Sequence, residues 1–137
     1  MEELLAVARE TDLFSNRAAE QFYSYAFAQY QSGNWTQAIE VFQILCARRP
    51  LEARFWFGLG ASLQEGNDYE KALRAWAMTA LLDQENPYPH FHAAECSFSL
   101  KDLANASLAL REAEMKIGKP EHPLNDRISL LKTSWKL

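Results

Sequence analysis

The residues best suited to chemistry lie close together in the third quarter of the chain: His90, His92, Glu95 and Cys96. His92 stands three residues before Glu95 and four before Cys96, a spacing that puts them on one face of a helix. Such a pair could hold a metal ion, or a histidine could activate a thiol. A metal site needs three or four ligands, and no complementary group of His, Cys, Asp or Glu appears elsewhere in the chain. His90 and His92 point apart. Cys46 and Cys96 show no disulfide framework and read as small packing residues. The expectation is therefore no enzyme, no metal and no cofactor. Gly58-Leu59-Gly60 is no phosphate loop, because it falls inside a helical pattern and is better explained by close packing.

What must position these side chains is a repeat. Ala38, Ala72 and Ala106 are 34 residues apart, and the same shift aligns other columns. Phe22 falls with Trp56 and His90, and Tyr25 with Leu59 and Ala93. Ala26 falls with Gly60 and Ala94, Asn34 with Asp68 and Asp102, Trp35 with Tyr69 and Leu103, and Phe42 with Trp76 and Leu110. A 34-residue helix–turn–helix period resembles the tetratricopeptide repeat. The small columns suit helices that cross closely, and the large column fills the gap to the next repeat. Asn34, Asp68 and Asp102 are placed to cap second helices.

The fold expected is all-α: three tandem repeats in a curved solenoid, with a short N-terminal helix and a C-terminal capping helix. Residues 1–18 form the N-terminal segment, 19–52, 53–86 and 87–118 the repeats, and 119–137 the cap. The periodicity predicts helices near 19–32, 35–48, 53–65, 69–82, 88–99 and 103–116. Leu4, Leu5, Val7 and Ala8 point to a further helix at the front. In the cap, Pro123 suits a first helical turn, and Leu124, Ile128, Leu131 and Trp135 form one apolar stripe.

Composition sets limits on function. The 137 residues carry 14 Lys+Arg against 18 Asp+Glu, a net charge of −4 that argues against nucleic acid or anionic lipid as a partner. Arg48-Arg49 suits the dipole of a helix C-terminus better than a phosphate backbone. No run approaches 18 apolar residues, and the acidic start at Glu2 and Glu3 is unlike a secretory signal. The expectation is a cytosolic protein without membrane insertion.

In stacked helix pairs the first helices line the concave side. The positions facing it are Glu20, Tyr23, Phe27 and Tyr30, then Arg54, Phe57, Ala61 and Gln64, then Tyr88, Phe91, Glu95 and Phe98. Seven of these are aromatic, and none belongs to the columns that hold the repeats together. A contiguous apolar surface marks a binding site. The candidate peptide-binding residues are Tyr23, Phe27, Tyr30, Phe57, Ala61, Gln64, Tyr88, Phe91 and Phe98. Tyr hydroxyls and Gln64 could hold a peptide backbone. A clamp for acidic chaperone tails would need Lys, Asn and Arg there instead. A generic adaptor for an unrelated apolar peptide stays open.

Three stretches resemble a particular family. Phe22-Tyr23-Ser24-Tyr25-Ala26-Phe27-Ala28-Gln29-Tyr30-Gln31-Ser32-Gly33, Phe57-Gly58-Leu59-Gly60-Ala61 and Phe91-His92-Ala93-Ala94-Glu95-Cys96 are similar to class II chaperones of bacterial type III secretion. The resemblance covers about residues 19–117. It implies a bacterial, cytosolic protein whose groove holds an extended segment, anchored by Pro and Leu, of a membrane-inserting translocator protein, kept soluble and unassembled before export. Relatives often carry a longer N-terminal arm for self-association. Here 18 residues precede the first repeat, which leaves a homodimer open.

Overall fold

The computed structural model describes residues 1–4 and 14–137. The helix expected around Leu5, Val7 and Ala8 lies outside the described residues. Leu4 is buried and joins the core of the first repeats.

Seven helices of the described residues are α1 (Asn16–Gln31), α2 (Trp35–Arg48), α3 (Ala53–Glu65), α4 (Tyr69–Leu82), α5 (Tyr88–Ser99), α6 (Leu103–Lys116) and α7 (Pro123–Trp135). Each consecutive pair up to α6 packs along its length. The first helix begins at Asn16, ahead of the expected 19, because the Ser15 hydroxyl accepts from the Ala18 amide at 3.1 Å. That cap satisfies an amide that would otherwise lack a partner. Among the described residues, no helix is long and apolar enough to cross a membrane.

The first helix of every repeat stops in the same way. Gly33, Asn67 and Lys101, spaced by 34, all have positive φ (79°, 65° and 65°). The amides of Asn34, Asp68 and Asp102 reach back to the carbonyls of Gln29, Leu63 and Ser97 at 2.9, 2.9 and 2.8 Å. This is a Schellman ending, which reverses the chain in few residues. Asp68 and Asp102 then cap the second helices as expected, accepting from the amides of Lys71 and Asn105. Asn34 does not. Its amide nitrogen donates to Gln29 Oε1 at 2.8 Å, an option a carboxylate does not have.

The small columns are sealed. Ala26, Ala38, Ala72, Ala94 and Ala106 have no solvent exposure. Gly60 replaces alanine because its partner in the large column is Trp76: a Cβ there would fall 2.9 Å from the indole. A Cβ on Gly58 would run into the Phe42 ring, so the large residue of the first repeat enters the second where the side chain is missing. Trp76 meets the third repeat similarly, stacked on His92 at 4.8 Å. One apolar cluster runs through the first two repeats, and a second joins α5, α6 and α7. In that second cluster Leu124 and Ile128 are buried against Phe91 and Leu110. Arg49 ties the front of the array down, donating to Asn16 Oδ1 and to the Phe14 carbonyl at 2.8 Å each.

Gly60→Ala should lower stability by about 1–3 kcal/mol through overpacking. Adding Trp76→Phe should recover part of that loss, so urea denaturation of the double variant should give less than the sum of the single losses. Strict additivity would show that the two positions do not share the contact.

Candidate peptide-binding groove

Along α1, residues 23, 27 and 30 follow one helical face toward α3. Tyr23 lies within 6.1 Å, ring to ring, of both Phe27 and Phe42 and 5.7 Å from Phe55. Tyr30 leans on Trp35 at 5.4 Å. From α3, Phe57 meets the Trp76 indole edge-on at 4.8 Å. Between these rings lies a cleft of about 340 Å³, lined by Tyr23, Phe27, Tyr30, Phe57 and Ala61, with Phe42, Gly58 and the buried Thr79 beneath and Arg54, Asp83 and Asn86 around the rim. Its walls are mainly aromatic, and Phe27 is 44% exposed. Rings left open to water at a concave surface are what an apolar ligand would cover.

The rim is charged but balanced. Arg54 lies over the Tyr23 ring at 4.7 Å and over Phe55 at 4.9 Å. Its guanidinium pairs with Glu20 and Glu52. The hydrogen bond from Arg54 holds the Glu20 carboxyl below its ordinary range. Burial, with the charge of Glu65, pushes the Tyr30 hydroxyl up, so Tyr30 remains a neutral hydrogen-bonding group.

A second pocket of about 170 Å³ shares Tyr30, Phe57 and Ala61 with the cleft and continues to Gln64, Glu65, Trp76, His92, Glu95 and Arg127. Here the side chains form a relay. Trp76 Nε1 donates to Gln64 Oε1 at 2.9 Å, Gln64 Nε2 donates to Glu95 Oε1 at 3.1 Å, and His92 Nδ1 lies 2.7 Å from the same oxygen. Gln64 is thus partly used by the protein and keeps one N–H to offer. Burial acts to raise the Glu95 carboxyl. The hydrogen bonds and charges of His92, Gln64 and Arg127 outweigh it and hold Glu95 below 4.5.

The expected third-repeat residues fall elsewhere. Phe91 is 1% exposed, which removes it from the groove: Leu124 and Ile128 of α7 pack with it, and Arg127 lies over its ring at 4.4 Å. Phe98 is stacked on Trp135 of α7 at 4.3 Å, so one face is taken. Tyr88 packs beside the same cluster and lies 5.9 Å from His122. The structure therefore gathers Tyr23, Phe27, Tyr30, Phe57 and Ala61 in the cleft, sets Gln64 beside them, and leaves Tyr88, Phe91 and Phe98 with α7. Phe42 and Gly58 were visible as one large and one small residue, but their meeting under the cleft was not. Arg127 lies outside the 34-residue period and carried no signal.

The His92–Glu95 pair is a hydrogen bond within this relay, and among the described residues no three His, Cys, Asp or Glu side chains converge as metal ligands. Burial pushes both thiols up to about 12, with the Glu95 charge adding to the effect at Cys96. Thiols in that state are poor nucleophiles near neutral pH.

Because Glu95 is held below its ordinary 4.5, it stabilises the fold above that pH, and the contribution is lost as pH falls through the depressed value. Glu95→Gln should be less stable than the parent at pH 7, and the gap should narrow below pH 4.5 in thermal melts. A constant gap would contradict the relay.

The tetratricopeptide repeat family matches residues 26–89. Low calcium response locus protein H of Yersinia pseudotuberculosis is 40% identical over 125 residues, covering 90% of this chain and 74% of the relative. The type III secretion chaperone SycD of Yersinia enterocolitica, solved with a peptide of the translocator YopD, superposes with a TM-score of 0.83 at 39% identity, covering 90% of this chain and 95% of SycD. PcrH of Pseudomonas aeruginosa, solved with the chaperone-binding region of PopD, gives 0.82 at 37% identity, covering 88% and 92%. With identity and coverage at this level along nearly the whole repeat array, the chain belongs to the tetratricopeptide-repeat family of type III secretion translocator chaperones.

Proposed function

We propose that this chain binds hydrophobic translocator proteins in the bacterial cytoplasm and keeps them soluble and unassembled before secretion. The observation that carries the reading is the open aromatic cleft formed by Tyr23, Phe27, Tyr30 and Phe57. In the proposal it receives an extended, apolar segment of the client. SycD and PcrH hold translocator segments, which supports the same use here. The repeats over 19–118 provide the groove, 119–137 closes its far end, and 1–18 precedes it. A homodimer belongs to the same proposal, since SycD forms one.

The energetics suit a holdase. Each buried anchor contributes roughly 1.5–3 kcal/mol, so three supply roughly 4–9 kcal/mol. Ordering a flexible segment costs about 2–5 kcal/mol. The surplus corresponds to micromolar or weaker binding by a short segment. Occupancy then lowers the free concentration of aggregation-prone client by mass action, and release needs only a competitor. No catalysis enters this cycle.

Phe27→Ala should weaken binding of the YopD peptide about tenfold in isothermal titration calorimetry, with little change in melting temperature, because Phe27 is already 44% exposed. Phe91→Ala should do the opposite, losing about 3–5 kcal/mol of stability as a core truncation. Undiminished peptide binding by the Phe27 variant would place the client elsewhere.

A further inference from the structure

The smaller pocket beyond the cleft has a chemistry of its own, and its use as a subsite rests on the groove reading above. All the protein partners of the Glu95 carboxylate meet Oε1. Among the described residues, no protein group donates to Oε2. Arg127, reaching the same pocket from α7, makes no hydrogen bond or ion pair among the described residues. Its guanidinium carbon lies over the Phe91 ring at 4.4 Å, and its N–H groups have no protein acceptor among the described residues. Arg54 shows the contrast: it lies over Tyr23 in the same manner but has its edge occupied by Glu20 and Glu52.

We infer that this pocket is an amide-binding subsite, in which Glu95 Oε2 accepts an amide N–H and Arg127 donates to an amide carbonyl of the bound segment. An acceptor held by the relay and an unpaired guanidinium beside one small cavity complement a neutral dipole. Glu65 and Glu95 oppose a client carboxylate, and Arg127 beside them offsets part of their pull on a client cation. Tyr30, Phe57 and Ala61 border both cavities, so an extended segment anchored in the cleft passes directly into this subsite. The Trp76–Gln64–Glu95–His92 relay is what holds the carboxylate ready. The amide belongs either to the client main chain or to an Asn or Gln side chain.

The probe is the synthetic YopD peptide, measured by isothermal titration calorimetry against the full chain. Arg127→Ala, at an exposed position, and Glu95→Gln should each raise Kd about tenfold. One modified peptide should identify the source: a single backbone N-methylation if the main chain is read, or one Asn or Gln truncated to Ala if a side chain is read. That peptide should lose about tenfold on the parent and nothing further on Glu95→Gln, whose acceptor it no longer engages. Unchanged affinity of both protein variants, with Phe27→Ala still impaired, overturns the subsite and leaves the groove standing. Absence of peptide binding by the parent chain overturns both.

Discussion

Large side chains entering spaces where small ones leave room are the contact on which this molecule depends. Phe42 lies where a Cβ of Gly58 would be, and a Cβ of Gly60 would press on Trp76. These contacts set how closely each helix pair crosses and how far it is offset from the next. The cleft is a by-product of the same geometry. With Gly58 and Ala61 small, the rings of Tyr23, Phe27, Tyr30 and Phe57 stand around a gap rather than filling it. Stability and the binding surface thus rest on one steric arrangement, in which Phe42 serves both the core and the floor of the cleft.

The concave side is not uniformly apolar. The cleft between the first two repeats offers rings, and the pocket beyond it offers a carboxylate, an amide and a guanidinium. A buried polar group is costly unless it is hydrogen-bonded, and the relay from Trp76 through Gln64 to Glu95 and His92 meets that requirement. An oily wall alone would capture any exposed apolar chain. Adding directional polar groups restricts which extended segments fit, since a mismatched segment leaves a desolvated donor or acceptor without a partner.

The terminal helix does more than cover the end of the solenoid. Leu124 and Ile128 close the core over Phe91, while Arg127 and Trp135 reach residues that would otherwise face the groove. The third repeat consequently contributes less open aromatic surface than its sequence promises, and open ring surface concentrates between the first and second repeats.

From the sequence alone, the 34-residue period determined the helices from Trp35 to Lys116, the small and large columns, and the presence of an aromatic concave wall. These are legible because helical periodicity and repeat spacing are local properties, written along the chain. Tertiary structure alone decided that Phe91 is sealed, that Phe98 pairs with Trp135, that Gln64 serves Trp76 and Glu95, and that Asn34 turns to Gln29 instead of capping. Each outcome depends on which group arrives from another element, and α7 follows no repeat register that would announce where its side chains land.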